Sequence, residues 1–468
     1  MRAAVLLLLL AGCASPIQVG PGRVLPVALQ YDPASFASSP KTRKPRVPRT
    51  LTLANGLDVV FLEDHSSPLV DVSVLVGCGR GDEPSGIPEV TGAMLLGAFR
   101  TGAGPLDGPA QRRAWGALGA DPDGTYDDGE SWISFSVRAE DLPRSIELLR
   151  DALASPHYEP ASVAALIERW VTRFDSPLVR HERLERRTRA RAIYGSVPAL
   201  SDVATADSVR RITHDVLSTH AALCLQPANL VLAVSGDVDE ESLTAALAPV
   251  GAMRTGALMK HLPPGTIPTE RWLWLVPTPL TNKVVVEVVA PGLPPGTRDR
   301  AAARVLMTGL IGRLQWELRQ QLGHVYSVTA DVEVGPGTGA TWFRFSTRSE
   351  VAAEAVRRML VIIESWWAKW PFDEEITGKL VTYMRSQHAR AAPSQVAFQV
   401  ARERLQDRGD ADRRSYDRQL EAVKEEDVRR FFAETLKPDR LQVIVSGNFL
   451  SDFNWEQFGP VTRVEPVR

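Results

Sequence analysis

The chain has 468 residues with 44% hydrophobic and 24% charged residues and a formal net charge of -2. It is longer than one hydrophobic core normally organises, so two or more domains are expected, and the composition excludes intrinsic disorder. The balanced charge gives no global field for nucleic acid or anionic lipid, and Cys13, Cys78 and Cys224 are too few for a disulfide framework and match no zinc-ribbon spacing.

At the start, Arg2 precedes an apolar run from Ala3 to Leu10 that ends in Leu10-Ala11-Gly12-Cys13. The run is too short to span a bilayer as a permanent helix. It resembles a lipoprotein signal peptide, which implies removal of residues 1–12 and lipidation of the Cys13 thiol. Ala14 then implies release to the outer membrane, with the body facing the periplasm. The alternative is an ordinary signal peptide with a chance cysteine. Residues 13–48 carry Pro16, Pro21, Pro26, Pro33, Pro40, Pro45 and Pro48 and are expected to form a semi-rigid tether. No later segment is apolar enough to cross a membrane.

The body contains an internal repeat. Leu230-Val231-Leu232-Ala233-Val234-Ser235-Gly236-Asp237 matches Leu441-Gln442-Val443-Ile444-Val445-Ser446-Gly447-Asn448 at an offset of 211 residues (Leu230 to Leu441). The same offset lays Ser67-Pro68-Leu69-Val70-Asp71 on Thr278-Pro279-Leu280-Thr281-Asn282, and Pro227 on Pro438. This predicts duplicated domains at residues 49–248 and 270–468, joined by a linker at 249–269. Strands are expected at Leu57–Leu62, Val70–Val76 and Ser131–Val137. Leu306, Leu310, Leu314 and Leu318 predict a helix, with a stop at Gly323. Adjacent extended runs joined by short turns suggest antiparallel pairing, so the fold class is α+β, each copy a mainly antiparallel sheet packed with helices.

A family resemblance enters at Asn55-Gly56-Leu57-Asp58-Val59-Val60 and Glu63-Asp64-His65-Ser66-Ser67-Pro68. It continues through Gly77, Asp82, Glu83, Pro84 and a helix from Gly86, and then through nearly all that follows. These segments resemble the pitrilysin or insulinase family, zinc peptidases with an inverted metal motif whose duplicated domains form a clamshell half. Active members read Gly-Leu-Ala-His-x-x-Glu-His-Met-Leu, with both histidines on the metal and the glutamate activating water. This chain reads Gly86-Ile87-Pro88-Glu89-Val90-Thr91-Gly92-Ala93-Met94-Leu95. Glu89, Gly92 and Ala93 stand where the first histidine, the glutamate and the second histidine would be. No two of the eight histidines are four apart, and the family's third ligand would fall near Glu168 to Trp170. Glu89 and Glu168 alone suit zinc poorly, so no metal is expected on this chain.

The second copy keeps Leu318-Arg319-Gln320-Gln321-Leu322-Gly323-His324-Val325-Tyr326-Ser327-Val328, similar to the family's Leu-Arg-x-x-x-Gly-x-x-Tyr-Ser-Val. The resemblance implies that Arg319 and Tyr326 grip substrate and stabilise a developing oxyanion opposite the zinc. Local pattern alone allows another reading. Arg319 is then a cation at a helix C-terminus, and Tyr326, alternating with Val328, Ala330 and Val332, a core tyrosine.

Other signals carry less. Asp121 to Glu130 lacks the Gly and Glu of a calcium loop and is read as an acidic turn before the strand at Ser131. The basic stretch Arg180 to Arg191 is read as a solvated helix face. Trp366, Trp367 and Trp370 are expected to pack at a helix end before Pro371. Gly335-Pro336-Gly337-Thr338-Gly339 is a loop without a phosphate-loop ending. Cys78 and Cys224 could pair in an oxidising compartment, which sequence does not decide. No serine, cysteine or carboxylate constellation suggests another chemistry.

Loss of the metal motif with retention of Arg319 and Tyr326 is the pattern of non-catalytic subunits in heteromeric family members. The implied function is a membrane-anchored, non-catalytic subunit of an insulinase-like peptidase heterodimer. A homologous partner would carry the zinc, and an unfolded peptide would be the substrate. The alternative is a stand-alone peptide-binding or scaffolding envelope lipoprotein with no role in proteolysis.

Overall fold

The computed structural model describes residues 47–174, 176–195, 204–259, 270–278, 282–293, 299–333, 340–406, 416–450 and 453–465. Cys13, the signal segment, nearly all of the tether, residues 260–269 of the expected linker and the Gly335–Gly339 loop lie outside them.

Two six-stranded sheets form the framework. The first is built from β1 (Arg49–Thr52), β2 (Asp58–Glu63), β3 (Leu69–Val76), β4 (Asp123–Tyr126), β5 (Ser131–Arg138) and β6 (Leu230–Gly236), in spatial order β1-β2-β6-β3-β5-β4. The second uses β7 (Trp272–Pro277), β8 (Lys283–Pro291), β9 (Val325–Val332), β10 (Ala340–Arg348), β11 (Gln442–Gly447) and β12 (Val461–Arg463), in order β9-β10-β8-β11-β7-β12. Most pairs are antiparallel as expected. The pairs β2–β6, β7–β11 and β7–β12 are parallel. The first two join an early strand to a late one across the whole helical insertion of each half, long enough for a parallel return.

The helices are α1 (Val90–Arg100), α2 (Gly108–Ala117), α3 (Leu142–Ala154), α4 (Pro160–Phe174), α5 (Pro177–Tyr194), α6 (Ala206–Arg210), α7 (His214–Cys224) and α8 (Glu240–Gly251) in the first half. In the second they are α9 (Asp299–Leu314), α10 (Ala352–Ala368), α11 (Glu374–Arg390), α12 (Pro393–Gln406), α13 (Tyr416–Glu421) and α14 (Glu425–Thr435). Leu306, Leu310, Leu314 and Leu318 are fully buried, and Gly323, at φ +62, follows the helix end. No helix among the described residues is long and apolar enough to cross a membrane.

The duplication shows most sharply in backbone geometry. Gly236 pairs with Val70 and Gly447 with Val284, at φ +134 and +129. A Cβ there would lie 2.1 Å from the Leu69 carbonyl oxygen and 2.2 Å from that of Lys283, so both sites require glycine. Pairing also corrects the repeat alignment. Leu69 faces Arg138 while Lys283 faces Arg348, so Leu69 corresponds to Lys283, not Leu280, and the offset there is 214 (Leu69 to Lys283). Valine alternation repeats every two residues and leaves the alignment loose, whereas cross-strand partners settle it.

Each half lends a helix to the other. The α5 helix of the first half packs Leu184, Ile193 and Tyr194 against Trp274, Val276, Val289 and Ile444 of the second sheet. The α12 helix of the second half packs Val396, Ala397, Ala401 and Leu405 against Val60, Leu62, Leu75, Val231 and Ala233 of the first. Both faces of β6 are therefore covered, which explains its nearly unbroken apolar sequence. The Arg180 to Arg191 stretch belongs to α5 and is a solvated face only in part: Arg180, Glu182 and Arg191 are exposed, the others buried or half-buried. Arg183 is buried, and Arg189 bonds Glu333 at 2.9 Å, because the helix is sandwiched between the halves. Trp366, Trp367 and Trp370 cluster around Phe432 as expected.

Candidate functional site

The segment that resembles the metal motif, Gly86–Leu95, leads into α1. Glu89 is its N-terminal cap residue, in the left-handed region at φ 74, a strained position for a residue with a side chain. Glu83 holds it there by accepting the Glu89 and Thr91 backbone N–H groups, each at 2.9 Å. Burial, and then the charge of Glu89, push the Glu83 carboxyl up to about 8 against those two bonds and Arg80.

Tyr126, at the end of edge strand β4, donates its hydroxyl to Glu89 Oε2. Burial keeps the phenol well above its ordinary pKa, so it stays a donor. The Arg80 guanidinium covers the Tyr126 ring at 4.5 Å. From α5, Arg183 Nη2 and Arg186 Nη1 stand 3.7 and 3.8 Å from Glu89 Oε1. Gly92 faces the tyrosine ring directly, and the Ala93 methyl is buried in the core. Where the inverted motif would place imidazole, carboxylate and imidazole, this chain has one carboxylate engaged by a phenol and two guanidinium groups. That donor set does not fit zinc, and the surrounding positive charge opposes any cation.

Glu168 is not joined to this cluster. It lies exposed on α4 and pairs with Arg210 at 3.6 Å, while α5 supplies the groups that face Glu89. The segment from Asp121 to Glu130 is the β4–β5 hairpin, closed by Asp127 N–H to the Glu130 carbonyl at 2.7 Å.

In the second half, Arg319 sits in a π-helical turn at Gln315–Gln321 and Tyr326 on β9. The Arg319 guanidinium lies 5.1 Å from the Tyr326 ring centroid, and Tyr326 is 81% exposed. Tyr326 is therefore not a core tyrosine. A bulge between Val325 and Val328 breaks the two-residue alternation, so both valines turn inward and Tyr326 turns out. Among the described residues, no hydrogen bond or ion pair joins Arg319 or Tyr326 to Glu89, Gly92 or Ala93.

Two clusters go beyond the sequence reading, which had left open only the pairing of Cys78 with Cys224. Cys78 and Cys224 form a disulfide with Cα atoms 5.7 Å apart. His220 Nε2 lies 3.7 and 3.5 Å from their sulfurs and 3.1 Å from Thr91 Oγ1. The spacing of His220 and Cys224, one helical turn apart on α7, was the available signal. The second cluster lines a cavity of about 600 Å³ between α5 and the second sheet. There His181 Nε2 lies 3.0 Å from Ser446 Oγ and 3.2 Å from Glu185 Oε1, and the Ser446 hydroxyl donates to Glu185. A nucleophilic triad needs the acid on one imidazole nitrogen and the serine on the other. Here both meet Nε2, so the cluster ties α5 to β11 without preparing a nucleophile.

Residues 211–375 match the family described as peptidase M16 inactive domain. No curated protein matches the chain. The peptidase M16 inactive domain from Pseudomonas fluorescens has a similar structure, with TM-score 0.72 at 19% identity over 87% of this chain and 100% of that one. The first half of the periplasmic protease PqqL from Escherichia coli gives 0.69 at 14% identity, over 87% and 93%. A chain of Complex III2 from Candida albicans gives 0.69 at 15% identity, over 88% and 98%. At these identities the structural likeness is one of fold.

Proposed function

We propose that this chain, which matches the peptidase M16 inactive domain over residues 211–375, is a non-catalytic, zinc-free subunit of a heteromeric peptidase of that family. One observation carries the reading. The metal-motif positions are closed by Tyr126 and Glu89, while Arg319 and Tyr326 remain together and open to solvent.

In the assembled enzyme a homologous partner would hold the zinc, which would supply Lewis-acid chemistry. This chain contributes its own groups from the opposite side. Arg319 holds the peptide, and the Tyr326 hydroxyl and the guanidinium donate toward the scissile carbonyl oxygen as it gains charge. The side chains of this half also wall the chamber and limit water. The Cys13 lipid anchors the assembly to the outer membrane, with the body in the periplasm.

The test is purification of the native chain in mild detergent, with identification of what copurifies and a zinc assay. A stoichiometric homologue carrying His-x-x-Glu-His, with zinc bound, is expected. Recovery of a zinc-free chain alone, or with unrelated envelope proteins, overturns the reading and leaves a stand-alone peptide-binding or scaffolding lipoprotein. Labelling with a radioactive fatty acid, abolished by Cys13→Ser, tests the anchor separately.

A further inference from the structure

Cys78, His220 and Cys224 come from two separated segments. Cys78 follows β3, and the other two share one face of α7. All three are buried, with Cys78 and Cys224 inaccessible and His220 2% exposed. Their ligand atoms lie within 4.8 Å of one another. In a tetrahedral site with Zn–S of about 2.3 Å and Zn–N of about 2.0 Å, sulfur and nitrogen ligands stand roughly 3.6 Å apart. The two observed Nε2–sulfur distances, 3.5 and 3.7 Å, already have that value. Only the two sulfurs, joined in the disulfide, must separate. Thr91 Oγ1, 3.1 Å from Nε2, offers a fourth donor, and it belongs to the same helical turn as Glu89 and Gly92.

We propose that Cys78, His220 and Cys224, with Thr91 as fourth donor, form a redox-gated site for a thiophilic divalent cation of the zinc class. The oxidised chain carries the disulfide and binds no ion there. A dithiol reductant delivers two electrons and two protons, opens the S–S bond to two thiols and is itself oxidised to a disulfide. The cation then displaces the two thiol protons, forming two metal–sulfur bonds and one bond to neutral imidazole. The charge of the ion cancels that of the two thiolates, so the site is neutral in its apolar surroundings, whereas two unpaired buried thiolates would not be tolerated. Burial holds His220 down to about 4, so its imidazole is neutral and available to a metal at ordinary pH. The charge of Asp82 acts on His220 in the sense that favours a cation. The site touches the Gly86–Leu95 segment only through Thr91, uses none of Glu89, Gly92 and Ala93, and does not depend on a partner subunit.

Cobalt is the probe. The full-length chain is reduced with a phosphine, freed of it without oxygen, and titrated with Co²⁺ alongside the oxidised chain. Far-UV and near-UV circular dichroism report whether the fold persists. The expected result is one Co²⁺ per reduced chain with thiolate-to-cobalt absorption in the near ultraviolet, release of two protons, displacement by Zn²⁺, and no binding by the oxidised chain. Cys78→Ser should remove the absorption. His220→Ala should change the tetrahedral band pattern while the thiolate absorption weakens. A folded reduced chain that gives no thiolate–cobalt band overturns the proposal. So does an unchanged band in Cys78→Ser, or a reduced chain that fails to fold with or without metal.

Discussion

A Cβ on Gly92 would lie 2.5 Å from Cε1 of Tyr126, well inside van der Waals contact. The tyrosine ring fills the space that a side chain at residue 92 would need, so the glycine and the packing around it are one feature. Gly92→Ala should therefore cost about 1–3 kcal/mol, the usual penalty for overpacking a filled site. In a Tyr126→Ala background the same change should cost nearly nothing. Urea denaturation of the four proteins measures this coupling, and additive effects would contradict the contact. Installing Glu89→His, Gly92→Glu and Ala93→His together should give no stoichiometric zinc while Tyr126 is present.

The Arg319 guanidinium lies over the Tyr326 ring, and Tyr326 is 81% exposed. Arg319→Ala and Tyr326→Phe should each change stability by no more than about 0.5 kcal/mol, as exposed substitutions do. Turnover by the assembled peptidase should fall tenfold or more, in the range expected for loss of an oxyanion donor, roughly 10²–10³ at most. Unchanged turnover with intact assembly would remove these residues from the chemistry.

The exchanged helices make the halves interdependent. Leu405, on α12 of the second half, is packed on the first sheet. Leu405→Ala should destabilise the chain by about 2–4 kcal/mol. The loss should appear as faster amide exchange in β2, β3 and β6, far away in sequence. Equilibrium unfolding should remain a single transition, and two separated transitions would show that the helix exchange does not couple the halves.

Glu333 accepts hydrogen bonds from Arg189, Trp342 Nε1 and the Ala340 N–H at 2.9, 2.8 and 3.1 Å. Burial nonetheless pushes its carboxyl up from 4.5 to about 7. The folded chain holds this proton more tightly than the unfolded chain. Its stabilising contribution is thus complete below 4.5 and is lost as pH rises through about 7. The melting temperature should decline by a few degrees over that window, and Glu333→Gln should flatten the decline. An equally steep profile in the variant would assign the titration to another group.

The two-sheet repeat and the α+β class were legible because they rest on local features. A Leu306–Leu318 helical period, a valine-rich strand and a missing imidazole can each be read without knowing what lies opposite. The three-residue error at Leu69 and Lys283 arose where local pattern repeats too often to choose between alignments.

The sequence by itself determined which side chains stand at Glu89, Gly92 and Ala93, and that none of the three is a histidine, since side-chain chemistry is a property of each residue. Tertiary structure decided what filled the space: Tyr126 from a hairpin edge, with Arg183 and Arg186 from α5. It also turned Tyr326 outward through one bulge, paired Cys78 with Cys224 across 146 residues, and seated α5 and α12 on each other's sheets. Each depends on contacts between residues remote in the chain, or on a one-residue change of strand phase. Local periodicity carries no information about either.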